Sequence, residues 1–362
     1  MRSSSGHYYP TLDHVRAIAA FMVFSWHFIH AGSGYPVPFE GAPRIFFMST
    51  IDEGHTGVAL FMTISGYLFA KILHGRDILY FPFIFNRALR LIPLLALVVF
   101  IVGVQHWLHG GNVTEYVRMV ASGLYAPTIP NGGWSITVEF HFYIILPFLL
   151  AFSRRRPLLL FAILAAFLAL RCYMYARDGS IQWFSYWTII GRMDQFILGM
   201  IFFHFGRVMQ QQHVLALLAA VLFSGFYWYF DALGGFYQIG SYPSSNAIWL
   251  IIPTVEGAAY GALIAYYDRS YQWTSENPWA NLLAKIGECS YSLYLLHFFF
   301  VFWIADLIHT RVVALNNFYI ATFASLICFL TLVPLARLSF RYVEVPFLKL
   351  RVNYVRVPQA AG

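Results

Sequence analysis

The stretch LDHVRAIAAFMVFSWHFIH, residues 12–30, is apolar and long enough to enter a bilayer, yet it carries Asp13, Arg16 and His27. A charged side chain at membrane depth costs at least about 2.5–3.5 kcal/mol, so such groups are usually paired or functional. Arg16 and His27 are eleven residues apart, which at 100° per residue is three turns plus about 20°. They share one face, separated by about 16 Å along the axis. Asp13, three residues before Arg16, can pair with it and lower its burial cost. Geometry leaves two readings open: Arg16 as interfacial anchor with His27 a satisfied core histidine, or both as working groups.

Composition places this helix in its context. Of 362 residues, 59% are hydrophobic and only 11% charged, with a mean hydropathy of +0.63, whereas soluble domains carry about 25% charged residues. The chain reads as all-α, a polytopic membrane helix bundle. The net charge of +7 could suggest nucleic acid, but the basic residues cluster in short connections between apolar spans, which reads as topology. Cys172, Cys289 and Cys328 are scattered and support neither a disulfide framework nor a metal cluster, and the thirteen histidines lack the paired spacings that metal sites favour. A signal peptide would be free of Arg16 and His27 and would be followed by a small-residue cleavage site, so residues 12–30 are expected to be a retained first helix.

Ten segments approach the length a hydrocarbon core requires, about 20 residues: 12–30, 56–74, 84–107, 134–152, 158–175, 186–205, 213–230, 247–267, 282–304 and 317–340. About ten transmembrane helices place both termini in the cytoplasm. With that topology 17 of the 23 Lys and Arg residues fall on the inner side, and only Arg44, Arg118, Arg171, Arg177, Arg192 and Arg311 on or near the other, as the positive-inside rule requires. Residues 1–362 are expected to form a single membrane domain with no fused soluble domain. The outward connections at 31–55, 108–133 and 231–246 are rich in Gly, Pro and aromatics and read as folded caps over a bundle opening.

Several segments together carry a family resemblance. LDHVRAIAAFMVFSWH resembles the first-helix signature of the acyltransferase type 3 family, a basic residue followed by His with ten residues between. GVALFMTISGYL (57–68), NRALRLIP (86–93), GGWSITVEFHFYIILP (132–147), RMDQFILGM (192–200), SYSLYLLH (290–297) and YVEVPF (342–347) follow in the family's order. The resemblance runs nearly end to end. It implies a membrane enzyme that takes an acyl group, usually acetyl, from cytoplasmic acyl-CoA to a hydroxyl of a glycan, lipid-linked sugar or small metabolite.

That chemistry needs a base for the acceptor proton, a donor for the developing oxyanion and a cationic dock for CoA phosphates. His27 is the natural base, since imidazole titrates near neutrality. Arg16 would contact the CoA moiety or hold an inner gate. Arg87 and Arg90 match the family's Arg-x-x-Arg and present two guanidiniums suited to phosphate, although positive-inside anchoring explains them equally well from residues alone. Trp134, Ser135 and Glu139 open the fourth span. Ser135 and Glu139 share a face, so the carboxylate is expected to orient or stabilise His27; the alternative is an N-cap and a first-turn charge. Where the family often has a second acidic residue, this chain has Phe140 and His141, so no role is assigned to a carboxylate pair.

Ser290, Tyr294 and His297 recur at spacings of four and three and form a supporting polar stripe, the usual interhelical glue of membrane bundles. Arg192 and Asp194 would line the acceptor entrance or form a local ion pair. Ser65 and Gly66 suit close helix packing. The expected partners are acyl-CoA, a surface glycan, lipid-linked sugar or small hydroxylated acceptor, and the lipid bilayer of a bacterial inner membrane, with neither metal nor nucleic acid and an oligomeric state that the sequence leaves unknown. Acylation of a small secreted metabolite such as a macrolide is an alternative of the same class. A proton-coupled transporter using His27, Arg16 and Glu139 is one of a different class, and would be expected to show repeat symmetry or broken helices at midplane.

Overall fold

The computed structural model describes residues 9–31, 42–238, 242–271 and 277–356. Arg2 and parts of the connections at 31–55, 231–246 and 268–281 lie outside the described residues. Helices of seven residues or more are numbered in chain order: α1 (Pro10–Ile29), α2 (Gly57–Leu73), α3 (Tyr80–Leu108), α4 (Val113–Ser122), α5 (Trp134–Arg155), α6 (Leu159–Asp178), α7 (Ile189–Phe205), α8 (His213–Ala232), α9 (Ile252–Ser270), α10 (Pro278–Glu288), α11 (Ser290–Leu296), α12 (Val301–Arg311) and α13 (Phe318–Ser339). Their starts follow local chemistry. Asn112, Asn277 and Asn317 each accept backbone N–H bonds as N-caps, and Pro stands in the first turn of α1, α9 and α10.

A helix runs through each of the ten expected segments, but these helices differ in kind. Six are long and apolar enough to cross a membrane: α2 with its lead-in from Gly54, α3, α5, α6, α8 and α13 with its continuation to Leu348. The bent pair α11 and α12 makes a seventh if taken as one span. The other three are α1, α7 and α9, of 20, 17 and 19 residues. α7 is short, and the other two are diluted by charged residues such as Asp13, Arg16, Glu256 and Asp268. They lie at the centre of the bundle, where their polar side chains meet protein rather than lipid. α2 is 89% buried over its apolar window and α6 only 11%, which sets the core apart from the lipid-facing rim.

The expected span at 282–304 is not one helix. Cys289 divides α10 from α11, and a 3-10 turn at His297–Phe299 then bends the chain by 58° into α12. Pro93, Pro147 and Pro334 are tolerated inside α3, α5 and α13, as is common where neighbouring helices re-satisfy the freed carbonyls.

α2 and α7 pack backbone to backbone. A Cβ on Gly66 would lie 2.0 Å from the Phe196 carbonyl oxygen, and one on Gly199 2.1 Å from that of Thr63. Each helix therefore offers a bare backbone to the other, the small-residue device of membrane bundles.

After α13 a π-helical turn at Phe340–Glu344 carries the chain back to the start of α3. There Val355–Arg356 pairs antiparallel with Asp77–Ile78, and the Asn86 side chain bonds both ways to Val352, donating to its carbonyl at 2.7 Å and accepting its N–H at 3.0 Å. Tyr354 is buried against Phe83, ring centroids 5.4 Å apart. As far as Arg356 the chain after α13 packs onto the bundle.

Candidate functional site

One cavity gathers side chains from α1, α2, α3, α5, α11 and the tail. Its wall includes Asp13, Arg16, Arg87, Arg90, Ser135, Glu139, Ser290, Tyr294 and Arg351. Most of the residues that the sequence singles out thus meet at one place, although they are spread over nearly 300 positions. Asp13 and Arg16 pair at 2.9 Å, as their spacing predicts. Arg90 pairs with Glu344, which Ser292 also holds by donating to it. Arg87 lies among the rings of Phe69, Phe83 and Tyr143, at 5.1, 5.6 and 5.9 Å, a cation–π setting that steadies the charge without neutralising it.

Glu139 accepts hydrogen bonds from Ser65, at 3.0 Å, and from Tyr143. The expectation that it orients His27 therefore meets a different arrangement: Glu139 sits in the cavity wall and no hydrogen bond joins the two among the described residues. Ser65, read as a packing residue, instead holds this carboxylate, while its neighbour Gly66 does the packing. Ser135 donates to Tyr294 at 2.8 Å, and Tyr294 donates to the Gly132 carbonyl at 3.1 Å.

Beyond Tyr294 the wall leads to a histidine pair. The rings of Tyr294 and His297 are 6.1 Å apart, and His297 Nε2 lies 3.2 Å from His27 Nδ1. Carbonyls fix the tautomers. His297 Nδ1 faces the Leu293 carbonyl at 3.1 Å and His27 Nδ1 faces that of Val23 at 2.9 Å. In the neutral rings both Nδ1 atoms therefore carry the proton, His297 Nε2 is an acceptor for His27 Nδ1–H, and His27 Nε2 is left with a free lone pair. Phe298 covers both rings at 4.5 and 4.3 Å. The supporting stripe thus divides: Ser290 and Tyr294 line the cavity, and His297 contacts His27.

Arg192 and Asp194 do not pair with each other, and both are fully buried. Two residues apart on a helix they point about 200° apart. Asp194 is gripped bidentately by Arg171 at 2.8 and 2.6 Å, with Thr254 donating to the same carboxylate. Arg192 reaches Glu256 at 3.3 Å and stacks over the Tyr186 ring at 4.1 Å, with the Trp134 ring at 5.9 Å. Glu256 also accepts from Gln195 and Tyr227, each at 2.7 Å.

Sequence reasoning missed the acidic partners Glu344 and Glu256, the tail residue Arg351 and a cluster beside the His27 end of α1. In that cluster His55 Nε2 lies 3.0 Å from Glu53 Oε2, His30 Nε2 lies 3.0 Å from the Asp52 carbonyl, and Asp231 is buried close by. Its signal was available as intramembrane or near-membrane ionisable residues, which are functional or paired by default. Among the described residues no group of three or more His, Cys, Asp or Glu could hold a metal ion.

Burial pushes the Glu53 carboxyl up to about 8, against the Phe236 N–H that donates to it at 3.1 Å. A carboxyl raised in the folded chain binds its proton more tightly there than in the unfolded one. Its contribution is complete below the ordinary value near 4.5 and is lost as pH rises toward about 8. Glu53→Gln, which is always neutral, is expected to shallow the fall of thermal stability between about pH 5 and about pH 8. An unchanged slope would place the titration elsewhere.

A family model described as an acyltransferase domain matches residues 9–337, nearly the whole chain. No curated protein and no solved structure matches it.

Proposed function

Because this chain belongs to the acyltransferase family whose domain model spans residues 9–337, we propose that it is a membrane O-acyltransferase using acetyl-CoA as donor and a surface glycan or lipid-linked sugar as acceptor. It would lie in a bacterial inner membrane, crossing it ten times with both termini in the cytoplasm, so that the arginine-rich end of the cavity faces the donor. The observation that carries this reading is the shared wall: Arg16, Arg87, Arg90, Glu139, Ser135 and Tyr294 around one cavity, with His27 and its free Nε2 beyond Tyr294.

The chemistry follows from that layout. CoA phosphates would dock at the arginines, and the pantetheine arm, an extended chain, would carry the thioester up the cavity toward His27. The acceptor hydroxyl gives its proton to His27 Nε2 as its oxygen attacks the thioester carbonyl. The C–S bond breaks, and the thiolate takes the proton back from the imidazolium. His297 Nε2 accepts the His27 Nδ1–H and so stabilises the charged intermediate state of the base, the orienting role that a partner commonly plays beside a catalytic imidazole. Glu139, which shares the cavity with Arg16 and Arg87, balances part of their positive charge. Trp134, Arg192 and Asp194 stay with the acceptor side as its buried support.

Purified protein incubated with acetyl-labelled acetyl-CoA and a crude glycolipid extract is expected to move label from CoA into a base-labile ester. A labelled small metabolite instead of a glycolipid would change the acceptor and keep the reaction. Absence of both label transfer and CoA binding would overturn the reading, and proton uptake in proteoliposomes would then test a transporter.

A further inference from the structure

Resting on the acyl-CoA reading above, one feature of the cavity mouth goes past the Arg-x-x-Arg motif. Of its two arginines, Arg90 is already engaged by Glu344, which is itself held by Ser292. A guanidinium whose charge a buried carboxylate already balances attracts a second anion less, although it keeps further N–H donors. Arg87 is different: its Nε is buried with no hydrogen-bond partner, and among the described residues no carboxylate pairs with it. Arg351 shares both properties, a buried unpartnered Nε and no carboxylate among the described residues, and it lines the same cavity.

Arg351 is held in place rather than trailing. Val352 beside it is clamped by Asn86, one residue before Arg87, and Tyr354 is packed into the core. The tail and the start of α3 therefore bring Arg87 and Arg351 to the mouth as a built pair. Burial, with Arg87 and Arg90 nearby, pulls the Arg351 guanidinium down to about 9, a like-charge crowding that an anion between them would relieve. Residue 351 lies beyond the stretch that the family model matches.

We propose that Arg87 and Arg351 together bind the phosphates of the nucleotide end of the thioester donor, while Arg90 and Glu344 form the brace that positions them. Each charge-assisted contact to a phosphate is worth about a tenfold or larger factor in affinity.

Titration calorimetry of the full-length protein in nanodiscs, with CoA and with pantetheine as the titrants, tests this. Arg351→Ala is expected to weaken CoA binding about 10- to 100-fold and to leave pantetheine binding unchanged, and Arg351→Lys to restore part of the loss. Equal CoA affinity in wild type and Arg351→Ala overturns the proposal while leaving the acyl-CoA reading intact. An equal loss of CoA and pantetheine would make Arg351 a structural residue and also overturn it. Nanodiscs of neutral and of anionic lipid separate the sources of phosphate: a variant that loses only its response to anionic lipid would assign Arg351 to headgroups, against the proposal. Wild-type protein that binds no CoA would fail the underlying reading itself.

Discussion

His27→Ala is expected to lower kcat for acyl transfer by about 10²–10⁴-fold, the range that a positioned general base contributes, with little change in donor binding. The geometry says why the effect should be confined to turnover. His27 lies beyond Tyr294, outside the arginine mouth, and its Nδ1 is occupied by the Val23 carbonyl and by His297. Only Nε2 is left to take a proton. His27→Gln keeps a polar group of similar size but no base, so it should be as slow as alanine. His297→Ala should be milder, because it removes the group that orients and stabilises the imidazole and leaves the base itself. A pH–rate profile separates the two: loss of His27 should flatten the limb set by the base, whereas loss of His297 should shift that limb. Wild-type turnover in His27→Ala would assign the proton transfer to another group.

The second large effect concerns the fold. Arg171 and Asp194 are fully buried and joined by two hydrogen bonds, in a bundle where neither charge reaches water. Breaking such a pair from one side strands the other charge, at about 3–5 kcal/mol. Arg171→Leu alone is therefore expected to lower the thermal midpoint in detergent sharply or to prevent recovery of folded protein. Replacing both partners, Arg171→Leu with Asp194→Leu, should recover much of the loss, since an apolar pair of similar size avoids the desolvation cost. Failure of the double variant to recover would shift the weight to the Asp194 bond with Thr254 and the Arg171 bond with the Leu250 carbonyl.

Much of the architecture was legible from apolar segments alone, because each such stretch becomes a helix wherever lipid removes the alternative of bonding the backbone to water. Local pairs were legible too. Asp13 and Arg16 are three apart and meet, as helical geometry requires. What failed was pairing across the chain: Arg192 looks like the partner of Asp194 in a linear motif, yet side chains two apart diverge, and each finds its counter-charge on another helix. Arg171 read as an outer-side charge and is fully buried in the bundle. The break in the expected ninth span was hidden because an apolar run carries no mark of a bend. Within the candidate site, the cavity residues were named by motif, but the contact between His27 and His297, 270 positions apart, depends on packing that no local pattern encodes.

One consequence concerns how the protein is made. α1 packs against α10, where a Cβ on Gly287 would meet the Asp13 carbonyl at 1.8 Å, and against α13. α1 thus leaves the ribosome about 270 residues ahead of a helix that covers it. At synthesis rates of about 5–20 residues per second the delay is on the order of tens of seconds. During that interval the Asp13–Arg16 bond, made within one helical turn, is already available, so it serves first as a passport into the bilayer and only later as part of a finished wall.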